Sequence, residues 1–189
     1  MNLAERTEMP IESGPESALA AITSTEQALA LFDSLDPVSI EFMLGDWKGA
    51  GVPTDHPMDG VLEAANWYGK RFESPRCVYP LVHMGLDGKK FCIQPALMPI
   101  GLLVRYPSIK TLLNKRLFLL LRPLVGTRHS GARLRMTEFR GVTTATMIYD
   151  RQPINDVFRK LDEDTVLGAM DMKEMERPFF FKLQREKPG

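Results

Sequence analysis

Two cysteines in 189 residues, Cys77 and Cys92, are too few and too widely spaced for a disulfide framework, a Cys-x-x-Cys redox pair or a zinc finger. They read as buried, inert thiols of a protein kept in a reducing compartment. No apolar run is longer than the five residues Leu117 to Leu121, whereas a bilayer span needs about 20. No charged, apolar and small-residue signal pattern opens the chain, so the expected location is cytoplasmic. The glycines form no Walker or Rossmann loop, which removes support from nucleotide hydrolysis and dinucleotide redox chemistry. No RNP, KH, finger or helix-turn-helix pattern is present, and no nucleic-acid partner is expected. A Gly-x-Ser-x-Gly elbow is missing too, and Ser130 beside His129 sits in an expected loop.

Net charge is also missing: 24 Lys plus Arg balance 24 Asp plus Glu. That zero is an average over unlike segments. Residues 1–46 hold nine acidic side chains and one basic, or −8, and residues 101–140 hold nine basic and one acidic, or +8. The remaining stretches, 47–100 and 141–189, contribute +1 and −1. With 44% hydrophobic and 8% aromatic residues, the composition is that of a folded protein of one or two domains, able to bury roughly 70% of its unfolded surface.

What is present has a clear order along the chain. Residues 1–18 mix Glu, Ser, Pro and Gly without hydrophobic period and predict a mobile arm. Ser24 and Gln27 have capping-box spacing ahead of Ala28, Leu29, Leu31, Phe32 and Leu35, one face of a short helix. Asp36-Pro37 predicts the start of a second, running through Ile40, Phe42 and Met43 to Gly45. From Gly45 the composition turns to β, with a helical interruption expected at about 59–68, containing Leu62, Ala65 and Trp67. Turn signals then divide the chain from Ala132 onward into five candidate strands, 132–139, 143–149, 154–161, 165–171 and 178–183, the rhythm of a sandwich or barrel.

The stretch Gly45-Asp46-Trp47-Lys48-Gly49 resembles the GXWXG domain, and 132–185 resembles the DUF4334 domain that follows it. Matching stretches include Trp67 to Phe72, Tyr79 to Val82, Met147 to Arg151, Phe158-Arg159 and Asp164 to Gly168. The resemblance implies a domain pair and a small barrel but supplies no reaction. The expected fold is therefore mainly β, a lipocalin/calycin-like β-barrel with N-terminal helices and a helical insert. The expected division is an arm (1–18), a GXWXG-like half (19–95), a basic apolar insert or lid (96–130) and a DUF4334-like meander (131–186) that completes one barrel.

A wider analogy is to lipocalin-like and nitrobindin-like barrels, where the Trp of an opening Gly-x-Trp plugs one end beneath an Arg. Trp47 can do so here with Arg159 or Arg185, a barrel-closing structural role. Nitrobindin-like barrels hold haem through a His, which makes His83 a low-ranking axial candidate; the expectation is otherwise no cofactor. His56 and His129 read as solvated. Asp55, His56 and Asp59 lack a fourth ligand, so no metal site is expected.

Strand alternation puts Ile154, Asp156 and Phe158 on one face, which points Asp156 into an apolar interior. Such a carboxylate must be paired or have a raised pKa. Tyr149, Asp150, Arg151 and Asp171 are its candidate partners. Readings that stay open are a structural Asp–Arg network, a ligand-binding cluster, and acid–base catalysis by Asp156 or Asp150. Trp67, Tyr68 and Arg71 can line the polar end of an apolar pocket, with Tyr68 and Arg71 orienting a ligand. The alternative is a helix that packs Trp67 and leaves Lys70 and Arg71 in water.

Residues 108–121 place Ile109, Leu112, Leu113, Leu117 and Leu120 on one helical face, with basic residues from Arg105 to Arg128 around them. That segment reads as a lid, a homodimer or partner interface, or a contact with an anionic membrane. The leading expectation is binding of an apolar or lipid-like small molecule in a barrel cavity; a sealed core without a cavity of roughly 300 Å³ or more would count against it in that conformation. Eleven methionines suit such an adaptable cavity. The alternatives are a cofactor-independent isomerase, lyase or hydrolase, with Tyr68, Arg71 or Arg151 stabilising negative charge, and a protein-interaction module.

Overall fold

Ser24 starts a helix because its hydroxyl accepts the Gln27 N–H at 3.3 Å, while the Gln27 side-chain oxygen reaches back to the Thr23 N–H at 2.8 Å. In the computed structural model, which describes residues 15–85, 87–98, 101 and 124–187, this helix is α2 (Thr25–Ser34), preceded by α1 (Pro15–Ala20). The expected arm is thus already helical at residues 15–18, and residues 1–14 lie outside the described residues.

The next helix starts later than Asp36-Pro37 predicts. Those two residues form a short strand β1, paired with Lys160 and Arg159, and Ser39 is the cap of α3 (Ile40–Met43), accepting the Phe42 N–H at 3.1 Å. The segment after β1 is stitched to the sheet by Thr144, whose hydroxyl accepts the Val38 N–H at 3.0 Å and donates to the Phe158 carbonyl at 2.7 Å. These tertiary bonds outweigh the local Asp-Pro start signal.

The remaining elements are β2 (Gly45–Gly51), α4 (Val61–Ala64), β3 (Trp67–Ser74), β4 (Cys77–Met84), β5 (Lys90–Ile93), a 3-10 turn (Pro95–Leu97), β6 (Gly126–Thr127), β7 (Ala132–Phe139), β8 (Val142–Tyr149), β9 (Ile154–Lys160), β10 (Thr165–Met172) and β11 (Phe179–Arg185). The five strands expected after residue 131 are β7 to β11. The expected helical interruption shrinks to the single turn α4, and Trp67 opens a strand.

The fold is mainly β, one large antiparallel sheet with few helices. Its pairings run β3-β2-β11-β10-β9-β8-β7-β4, and β4 also pairs with β3, so eight strands close into a ring. Closure between β4 and β7 is slight: one registered pair, Val78 with Ala132, and the Gly131 N–H donating to the Val78 carbonyl at 3.0 Å. β5 and β6 extend outward from β4.

Inside the ring lies the main core, with Trp47, Trp67, Phe72, Phe158, Phe179 and Phe181 among its larger members. A second core forms where α1 and α2 cover the outer face of β9 to β11, with Phe32 edge-on to Phe180 at 6.0 Å. β10 is therefore buried along nearly its whole length, its alternate side chains entering the two cores. Helix pair and sheet are also linked at the surface, where Arg140 holds Asp33 through two bonds of 2.7 Å. This is one place where the acidic N-terminal segment meets the basic one. The lid or membrane helix expected over 108–121 lies outside the described residues, as do all of 102–123.

Among the described residues no helix is long and apolar enough to cross a membrane.

Candidate functional site

The Gly-x-Trp-x-Gly stretch puts its three marked residues on one face of β2, by strand alternation. The Trp47 indole is buried and donates through Nε1 to the Met43 carbonyl at 2.8 Å. Over its ring, 4.2 Å from the centroid, lies the guanidinium of Arg185, which also donates to the carbonyls of Leu44 (3.0 Å) and Phe42 (2.7 Å) at the end of α3. The guanidinium thus ties the indole to the last carbonyls of α3. Arg159, the other expected partner, faces the opposite way, because it follows the inward Phe158 by one position. It lies buried in the helical layer, 5.3 Å from the Phe32 ring, and burial pulls its pKa down.

Gly49 makes room for a second indole. A Cβ there would sit 2.1 Å from the Trp67 ring, which lies across that position and donates through Nε1 to the Pro80 carbonyl at 3.1 Å. Trp67 forms one wall of a cavity of about 70 Å³ inside the ring. Its other walls include Met58, Leu81, His83, Met98 and Phe179, and at its polar spot stand Lys70, Asp156 and Tyr149.

Lys70 and Asp156 form an ion pair of 2.7 Å with side chains only 4% and 1% exposed. Asp156 lies between Met147 and Met170 on the neighbouring strands. Apart from the Lys70 contact, neither carboxylate oxygen meets a well-aligned hydrogen-bond donor among the described residues. The ammonium is ringed by aromatic faces, 4.9 Å from the Phe181 centroid, 5.3 Å from Trp67 and 5.8 Å from Tyr149. Burial pulls the Lys70 pKa down and pushes the Asp156 pKa up, and each partner's charge partly offsets the other's shift. Tyr149 is raised well above its ordinary value by burial and by Asp156, so it stays a neutral phenol. His83 is pushed down to about 4 by burial and is a neutral imidazole at pH 7. A buried pair of this kind is weak as a stabiliser, since desolvation offsets most of the attraction. Its presence in an apolar core calls for another explanation.

Lys70 was not among the residues that the sequence brought forward as a site. Counting by twos from the inward Trp67 places Lys70 outside. The register between β3 and β4 breaks that count: from the pair Trp67–His83 to the pair Gly69–Val82, β3 advances two residues and β4 only one. The resulting bulge re-aims the strand, and 70 and 72 become the inward positions. Gly69 permits it, since a Cβ there would be 1.9 Å from the Trp47 carbonyl oxygen. The lone readable signal was a Gly inside a strand pattern, which marks bulges and close backbone approaches.

The other expected site residues do not gather around Asp156. Tyr68 donates its hydroxyl to Glu186, which pushes its pKa up to about 12. Arg71 is paired with Asp46 at 2.8 Å, and Lys90 bridges Glu186 and Asp46, making a half-exposed ion network at the rim. Asp150 is at the surface with Arg133 at 2.7 Å, and Arg151 and Asp171 are exposed. The charge-stabilising partners named for an acid–base mechanism are thus absent from the cavity, and Lys70 occupies their place.

Three smaller readings change as well. His56, expected in solvent, is buried against Phe179 and accepts the Met58 N–H at 3.1 Å. Asp59 accepts the backbone N–H groups of Thr54 (2.9 Å) and His56 (3.0 Å), which organises that loop. Cys77 and Cys92 are free and only half-buried. His83 faces the cavity, whose volume of about 70 Å³ is well below the roughly 300 Å³ of drug-sized ligand sites. A larger groove of about 720 Å³, lined by Arg71, Tyr79, Lys90 and Arg128 among others, is open and polar, and two of its cations are already paired.

A mainly β ring around a small apolar cavity with a buried ion pair defines the class of molecule. The sequence matches the model of the GXWXG protein family over residues 30–88 and that of a domain of unknown function, DUF4334, over residues 130–185. The crystal structure of a protein from Thermomonospora curvata is similar at 31% identity, covering 92% of this chain and 99% of that one, with a TM-score of 0.68. The chain belongs to the family in which a GXWXG domain is followed by a DUF4334 domain. A comparison with the curated proteins finds no match.

Proposed function

We propose that the protein binds a small, largely apolar molecule carrying one polar group, inside the ring of strands, in the manner of a lipocalin-like barrel. The observation that carries this reading is the cavity of about 70 Å³ whose apolar lining is interrupted by a nearly unexposed Lys70–Asp156 pair. Two ionisable groups kept out of water cost stability, and a ligand's polar group gives them something to hold. The volume suits a molecule of few heavy atoms, or the functional end of a longer chain. Met58, Met98 and Met170 in the wall let it adapt, since unbranched thioether side chains repack at little cost. Leu62, Leu81 and Met98 are the half-buried members of the lining and mark where the cavity comes nearest to solvent. A cytoplasmic location accords with two free, partly accessible thiols.

Native mass spectrometry of the protein purified from its own host tests the reading. The expected result is a co-purified small molecule that is released on denaturation. A bare mass, together with no thermal stabilisation by a panel of short-chain alcohols, acids and aldehydes, would reject it. At 100 times its Kd, a ligand adds about 2.7 kcal/mol to stability.

A further inference from the structure

We propose that Lys70 is a covalent carbonyl-binding site, its Nζ condensing with a small apolar aldehyde or ketone to an imine while Asp156 relays the protons. The inference rests on the cavity's being a ligand site and adds the chemical class of the ligand.

A lysine becomes a nucleophile when its amine is unprotonated and dry, which a desolvated pocket provides. The geometry supplies the dry setting and, in Asp156 at 2.7 Å, a carboxylate to receive the ammonium proton. The Lys70 side chain is 4% exposed, it lines the cavity, and its one strong polar partner is a carboxylate itself shut off from water. Asp156 offers the complement: its oxygens have no aligned donor among the described residues besides the Lys70 contact, so it is free to take up a proton and return it. Burial acts on both groups in the same sense, loosening the proton on Lys70 and tightening it on Asp156. No other described cation shares the cavity. His83 is neutral at pH 7, and Arg71 and Lys90 are held by carboxylates at the rim. An ion pair of purely structural value would be as well served by Arg, whose fork could occupy both carboxylate oxygens.

The steps balance. Lys70 passes one ammonium proton to Asp156, and the freed lone pair attacks the carbonyl carbon, forming the C–N bond as the C=O π pair moves to oxygen. Asp156 returns the proton to that oxygen, giving the carbinolamine. It then takes a second proton from nitrogen and delivers it to the hydroxyl, which leaves as water as the nitrogen lone pair forms the C=N bond. The product is a protonated imine facing the Asp156 carboxylate, so the charges in the cavity are those present at the start. The surrounding rings of Phe181, Trp67 and Tyr149 stabilise that cation as they do the ammonium.

The test treats the full chain at neutral pH with butanal and cyanoborohydride, which reduces an imine to a stable amine, and locates the product by peptide mass mapping. Lys70 is expected to be alkylated at least about tenfold faster than any surface lysine, because a carboxylate 2.7 Å away takes up its proton in a site shut off from water. Lys70→Arg, which keeps the charge, should lose the adduct. Asp156→Asn should slow it while 1-butanol still raises the melting temperature. Adducts only on surface lysines, or none, while 1-butanol and butanal stabilise the protein equally, would overturn the carbonyl inference and leave the binding reading standing. No stabilisation by either compound and no adduct would overturn both.

Discussion

His83 shares the cavity with Lys70 and Asp156, and its burial has a thermodynamic consequence. Burial pushes its folded-state pKa down to about 4, against an ordinary value of 6.5. Between those values the unfolded chain binds a proton that the folded one refuses. Stability is therefore full above pH 6.5, falls as pH drops towards 4, and loses nothing more from this residue below that. The expected loss is about 3 kcal/mol. His56, also lowered by burial, acts in the same direction. Denaturant titrations at pH 7 and pH 4.5 check this, and His83→Gln should flatten most of the difference; equal slopes in the two proteins would reject the assignment. At this scale Asp156 was legible in the sequence, because Ile154, Asp156 and Phe158 alternate regularly and β9 holds its register against β10 throughout. Its partner was not legible. Lys70 comes from a strand 86 positions away in the sequence, and only the assembled ring brings the two together.

The element that decides the site is β3, whose bulge turns Lys70 inward. The sequence predicts a helix over about 59–68 containing Leu62, Ala65 and Trp67; that helix stops after one turn, and Asn66, at φ 53°, lets the chain change direction into the strand. In contrast, β7 to β11 were readable because each is bounded by turn residues and carries β-forming side chains along its length. Gly69→Ala tests the role of the bulge. The added methyl would lie 1.9 Å from a backbone oxygen that cannot rotate away, so β2 and β3 must separate. A loss of about 2–4 kcal/mol is expected from strain at this position. Gly88→Ala, with open space around the Cβ but φ of 69°, is the control for conformational cost alone, expected at about 1 kcal/mol. Equal losses in the two variants would show that the close approach is not limiting.

At the scale of the whole molecule, the two family segments are not two structural units. The first contributes β2, β3 and β4 to the ring and the second contributes β7 to β11; the ring closes only through β2–β11 and β4–β7. The order of the two family segments was legible in the sequence, yet which strand of one meets which of the other is a long-range matter without a local signal. Fragments 1–98 and 99–189 should each remain unfolded alone and regain the circular-dichroism spectrum of the intact chain when mixed, since a break between them interrupts no described strand. Independent folding of either fragment would overturn this account.

β11 is the last ring strand to be synthesised, and it is also the one that meets β2, the first. Until residues 179–185 have left the ribosome, β2 and β10 each present an unpaired edge and the Trp47 indole has no Arg185 above it. The nascent chain therefore carries sticky, open strand edges until β11 emerges. A stall or stop codon ahead of β11 would leave an aggregation-prone chain, which makes this strand the point at which synthesis becomes folding.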